Sequence, residues 1–177
     1  MNMKPMKQVQ WMILTVWLSY CTTSTTPSYH SQHLASERAK SSEKRQNASD
    51  SLILMDYIKI KDALVASDSE KVSILAKTFL NNLKNEMNPP SEALSKAANS
   101  LLNALDLDTQ RQAFKSVTEV LIQWIKVSNT QETLFVQFCP MAFKGQGATW
   151  LSRSEEIKNP YFGAMMLNCG RIDEKIN

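Results

Sequence analysis

The sequence predicts a mainly α protein: an antiparallel four-helix bundle carrying a small C-terminal β-hairpin and a short terminal helix. Three observations lead there. Apolar residues recur at helical spacing through four successive segments between residues 51 and 128. None of those segments can bury its stripe alone, and the links between them are short. After Thr133 the period switches from 3.6 to 2.

The chain divides into three parts. Residues 1–21 read as an export signal: Lys4 and Lys7 precede "WMILTVWLSYC", an apolar run too brief to cross a bilayer comfortably. Leu18 and Ser19 ahead of Cys21 match a lipobox, in which Cys21 becomes the lipidated first residue of the mature chain, although bulky Tyr20 stands where a small residue is expected. The expected location is therefore the cell envelope, facing the periplasm and held to the membrane by lipid. Residues 22–50, dominated by Ser, Thr and charge with no apolar period, read as a disordered tether. His30 and His33 lie in it, without a third ligand to make a metal site. Residues 51–177 form the folded domain.

Within that domain the first helix carries Ile53, Tyr57, Ile60 and Leu64 on one face. Ser67 with Glu70 three residues later is a capping-box pattern for the second, whose stripe is Val72, Leu75, Ala76, Phe79 and Leu83. Pro89 and Pro90 suit the start of the third, which continues through Leu94, Ala97, Leu101 and Leu105. Asp108 is placed to cap the fourth, with Phe114, Val117, Leu121, Trp124 and Ile125 facing one way. Such large residues at helical spacing are core, not a cofactor box. "TLFVQFC" alternates as a strand, "KGQG" is a turn, and "ATWLS" returns as its partner. Asn159 and Pro160 open a short helix through "YFGAMMLNC", and Gly170 falls where its C-terminal stop belongs.

Composition narrows function. The 177 residues carry a formal charge of +3 with acids and bases interleaved, and the one dense basic cluster, Arg38, Lys40, Lys44 and Arg45, lies in the Ser-rich tether. That pattern argues for a solvated face and against nucleic-acid binding. No histidine follows His33, so the folded domain holds no Ser-His-Asp or Cys-His pair, and "GQG" lacks the length of a phosphate loop. An enzyme is not expected.

The sulfur residues carry what remains. Cys139 and Met141 in "QFCPMAF", and Met165, Met166 and Cys169 in "MMLNCG", lie in two short segments. Two readings compete. In an oxidising compartment Cys139 and Cys169 are natural disulfide partners. In their reduced state the thiolates of Cys139 and Cys169 with the thioethers of Met141 and Met166, and Met165 as a further candidate, make a donor set that selects Cu(I) or a similar soft ion.

The segments "FVQFCPMAF", "ATWLS", "EIKNPYFGAMMLNCG", "YIKIKDALVASDSEKV" and "TQRQAF" together resemble a domain-of-unknown-function family of Bacteroidetes-type bacteria. That family occurs alone behind a signal sequence or fused to periplasmic adaptors of heavy-metal efflux pumps of the RND type. The resemblance spans residues 51–176, with its most specific part between Cys139 and Gly170. It places Cys139, Pro140, Met141, Trp150, Leu151, Asn159, Pro160, Tyr161, Phe162, Gly163, Met166, Cys169 and Gly170 on the family signature. It implies an accessory role in soft-metal homeostasis or efflux beside RND components, for a chain that lacks the adaptor's membrane-fusion portion.

Overall fold

The computed structural model describes residues 29–85, 92–128 and 132–177. The export signal, Cys21, the first part of the expected tether and Pro89 with Pro90 lie outside the described residues.

Four long helices form among the described residues: α1 (Tyr29–Val65), α2 (Ser69–Asn85), α3 (Glu92–Leu102) and α4 (Leu107–Val127). The segment expected as a tether is corrected from residue 29 onward, because α1 runs unbroken through it. Its Ser content suggested disorder, yet Ala, Gln, Glu, Lys and Arg between the serines are good helix formers. Residues 33–45 are exposed throughout, with His33 and Glu37 paired one turn apart at 3.5 Å. Burial starts at Asp50 and continues through Ile53, Leu54, Tyr57, Ile60, Ala63 and Leu64.

Helix starts are decided by side chains close to those expected. Ser67 is not the cap of α2: it sits in a left-handed conformation (φ 58°), and Asp68 Oδ1 accepts from the Lys71 amide at 2.9 Å instead. The cap of α4 is Asp106, not Asp108. Its carboxylate accepts from the Thr109 amide at 2.9 Å, while Thr109 Oγ1 accepts from the Asp106 amide. The Thr109 amide holds the Asp106 carboxyl below the usual range.

The helices pack in chain order, α1 on α2, α2 on α3 and α3 on α4. Phe79, Leu83, Leu94, Leu101, Phe114, Val117 and Leu121 are fully buried between them. Asp56 on α1 is buried and accepts from Asn82 Nδ2 on α2 at 2.6 Å. The expected four-helix bundle is adjusted to four packed helices whose core a sheet shares.

That sheet has three antiparallel strands, β1 (Leu134–Cys139), β2 (Ala148–Ser152) and β3 (Arg171–Ile176), in the order β2-β1-β3. The expected hairpin is its β1–β2 half, in the register Val136↔Leu151 and Cys139↔Ala148. The third strand is unexpected because "RIDEKI" has no apolar alternation. As an exposed edge it needs only backbone pairing, and its charges discourage further strands from adding. β2 packs on α4 and α1, burying Trp150 and Leu151.

One hydroxyl joins these layers. Tyr57 on α1 accepts from the Leu151 amide on the outer edge of β2 at 3.1 Å and shares a hydrogen bond with Thr118 on α4 at 2.8 Å. Its ring stacks on Phe114 with centroids 4.9 Å apart. Burial pushes the phenol far above its ordinary pKa, so it remains a neutral donor and acceptor.

The short terminal helix is also corrected. Only Gly163–Met166 is helical, as a 3-10 turn. Gly163 interrupts any longer helix with φ +56°, and a Cβ there would lie 2.6 Å from Ser67 Oγ and 2.9 Å from the Val65 carbonyl oxygen. The glycine lets this turn sit directly on the end of α1.

Candidate functional site: a paired-thiol centre beside a methionine groove

β1 carries Cys139 at its C-terminal end, fully buried. Cys169 arrives from the other side, on the segment that leads from the 3-10 turn into β3, and is half-buried. Their Sγ atoms are 2.6 Å apart. A disulfide needs about 2.05 Å, so a closure of about half an ångström would join them. Two thiolates on one tetrahedral ion, each about 2.3 Å from it, stand about 3.8 Å apart, so a metal requires the pair to open instead.

The loop that delivers Cys169 is held by Asn159, a fully buried side chain. Its Nδ2 donates to the Cys169 carbonyl at 2.8 Å, and its Oδ1 accepts from the Tyr161 amide at 2.8 Å. Its own backbone amide donates to the Leu167 carbonyl at 2.8 Å, and its carbonyl accepts from Gly163 at 3.1 Å. Both ends of residues 159–169 are thereby clamped by one amide side chain.

Gly170 completes the delivery. A Cβ at this position would fall 2.8 Å from Trp150 Cη2 and 3.1 Å from the Phe138 carbonyl oxygen. Only glycine lets the chain lie flat over Trp150 as it leaves Cys169.

The adjacent Cys139 sulfur, with a smaller contribution from burial, raises the Cys169 thiol above its ordinary value, while the Met141 backbone amide, donating to the Cys169 sulfur, pulls the other way.

Met141 and Met166 share the wall of a neighbouring groove of about 530 Å³ with Asp108, Arg111, Gln112, Phe143, Lys144, Tyr161 and Phe162. Neither cysteine lines it. The four sulfurs expected as one set thus fall into a thiol pair and a thioether pair. Met165 lines neither place and is 77% exposed. Met165 and Cys169 share no helical face, because the 3-10 turn ends at Met166. Among the described residues, no group of three or more His, Cys, Asp or Glu side chains could hold a metal ion. The donor chemistry present is thiolate and thioether, which fits only a soft ion.

Two features of this region were not anticipated. Arg111 is buried beneath the groove, its Nε donating to the Pro160 carbonyl at 3.0 Å and its Nη2 to Ser67 Oγ at 3.1 Å. The signal was there: Gln110 and Arg111 lie four and three positions before Phe114, on the side of the helix that carries the apolar stripe, where a solvated residue would not sit. The second is the β1–β2 connection, where Phe143 (φ 51°) and Lys144 (φ 59°) are both left-handed. Two consecutive non-glycine residues in that region are costly and must be held by their surroundings. Phe143 packs edge-on to Tyr161 at 5.3 Å, and Lys115 lies 5.6 Å from its ring centroid.

Residues 53–133 match the model of a family described as a protein of unknown function (DUF3347). The match covers the buried part of α1 through α4 and stops just before β1. It therefore falls on the helices, and not on the cysteine segments that seemed the most specific part of the resemblance. No curated protein and no solved structure matches the chain.

Proposed function

We propose that this chain is an exported, lipid-anchored binding module of the cell envelope, without catalytic activity, whose C-terminal sheet is closed by a reversible Cys139–Cys169 bond and which docks on an envelope partner. One observation carries the central part of the reading: the two sulfurs meet at 2.6 Å, closer to a bond than to the separation a shared ion imposes. Peptide mapping without reductant, on protein taken from the periplasmic side, tests it. The expected product is a Cys139–Cys169 cross-link; free thiols at both positions in that material overturn the reading.

A second reading is favoured by Met141 and Met166, which lie two and three residues from the cysteines and face one groove. In this reading the reduced pair opens and takes Cu(I) or a similar soft ion, in envelope metal homeostasis beside RND efflux components. Titrating the reduced chain with Cu(I) under a competing chelator tests it. Stoichiometric binding that disappears in the Cys139→Ser/Cys169→Ser double variant supports the reading. Equal affinity in that variant rejects it.

A further inference from the structure

We propose that Cys139 and Cys169 form an asymmetric thiol–disulfide exchange pair, in which Cys169 is the sulfur that an incoming disulfide reaches and Cys139 is the sulfur that resolves the mixed disulfide. This rests on the reading above, that the two cysteines form a reversible bond.

Access separates the two sulfurs. Cys139 is fully buried on the central strand, with β2 on one side and β3 on the other, and pairs with Ala148. Cys169 lies outside any strand, half-buried, immediately after exposed Asn168. Thiol–disulfide exchange needs the attacking sulfur to approach the target bond closely, so a large oxidant meets Cys169 first.

The second step is provided by proximity. Cys139 already lies 2.6 Å from the sulfur it must attack, so resolution requires no rearrangement of the sheet. The chemistry balances with an external disulfide as the two-electron oxidant. The Cys169 thiolate attacks one sulfur of that disulfide, forming a mixed bond and expelling the first thiolate. The Cys139 thiolate then attacks Cys169 Sγ, forming the internal bond and expelling the second. The protein dithiol is oxidised, the external disulfide is reduced to two thiols, and the two protons pass to the leaving thiolates. The reverse sequence, with an external dithiol, reopens the pair at the same accessible sulfur.

The experiment uses the full chain with Cys21→Ser, reduced and then exposed to dithiobis(nitrobenzoate) as the external disulfide. The parent is expected to release two thionitrobenzoate anions per chain and to end unlabelled, with an internal cross-link. The Cys139→Ser variant is expected to release one anion and retain the label on Cys169. The Cys169→Ser variant is expected to react about tenfold or more slowly while folded, and to match Cys139→Ser once unfolded in denaturant. Acid quenching of the parent during the reaction locates the first label without depending on either variant, and Cys169 is the expected position. A first label on Cys139 overturns the asymmetry. A parent chain that finishes with both cysteines labelled and no internal bond instead overturns the reversible bond beneath it.

Discussion

The side-chain amide of Asn159 donates to the carbonyl oxygen of Cys169 at 2.8 Å, ten residues away, while its oxygen accepts from the Tyr161 amide. One buried side chain therefore sets both the shape of the loop and the position of its thiol. Asn159→Ala strands the Tyr161 amide and the Cys169 carbonyl and is expected to cost about 2–4 kcal/mol. Asn159→Asp keeps the acceptor for Tyr161 but turns a donor toward Cys169 into a carboxylate oxygen. It should recover little of the loss near neutral pH. Urea denaturation of both variants checks the magnitudes, and a wild-type midpoint for Asn159→Ala would contradict the clamp.

Tyr57 links the helical layer to the sheet through its hydroxyl. Tyr57→Phe keeps the stack on Phe114 but leaves the Leu151 amide, at a buried sheet edge, without that partner. The expected loss is about 1–3 kcal/mol, read by thermal or chemical unfolding. Near-native stability would mean that the bridge contributes nothing beyond packing.

Gly170→Ala places a methyl group 2.8 Å from Trp150 Cη2 and 3.1 Å from a backbone oxygen. Neither neighbour is the end of a flexible chain. The expected cost is about 1–3 kcal/mol. A second effect should accompany it: Cys169 moves away from Cys139, slowing formation of the cross-link after dilution from reductant. Unchanged stability together with an unchanged oxidation rate would show that the chain does not lie against Trp150.

A Cys139–Cys169 cross-link would close a loop of about thirty residues, for which loop-closure entropy predicts a stabilisation of about 3–4 kcal/mol. Oxidised protein should therefore unfold at a higher denaturant concentration than protein held in reductant, and the difference should vanish in the Cys139→Ser/Cys169→Ser variant. Equal midpoints for oxidised and reduced parent would argue against a stapling role.

Glu132 gives the clearest acid dependence. Partial burial opposes its ionisation, but hydrogen bonds from Arg153 at 2.6 and 3.0 Å and from Ser51 at 2.9 Å outweigh that and hold the carboxyl below the ordinary 4.5. A folded pKa below the unfolded one means that the unfolded chain binds the proton more readily. The contribution is thus complete above about pH 4.5 and is lost as the pH falls through the folded value. Comparing parent and Glu132→Gln between pH 3 and 7 should show a stability gap at pH 7 of about 0.5–1 kcal/mol, reduced for solvent screening, that closes on acidification. A gap that widens toward acid would reverse the assigned sign.

Much of the helical half was legible because it depends on local pattern. Phe79, Leu83, Leu94, Leu101, Phe114 and Leu121 stand at the spacing of one helical face, and a face of that width has to be buried. β1 and β2 were legible for the same reason, while the left-handed path of the connection between them was not. Boundaries were less so: Asp68 and Asp106 serve as caps where Ser67 and Asp108 also fitted the pattern, because the choice between neighbouring polar residues depends on the backbone path. Ser67 is drawn from the capping role by its left-handed backbone and by its contact with Arg111.

For the candidate site, residue types were readable and arrangement was not. By itself the sequence determined which side chains the folded domain has to offer: two cysteines, nearby methionines and no histidine after position 33. It also determined that four helical segments would each contribute an apolar face to the core. Tertiary structure alone decided that Cys139 and Cys169 meet while Met141 and Met166 face a separate groove. The reason is that no local propensity specifies those distances. They follow from long-range contacts, with β3 pairing beside β1, Asn159 clamping residues 159–169, and Gly170 permitting a backbone to pass over Trp150 where any side chain would hold it away.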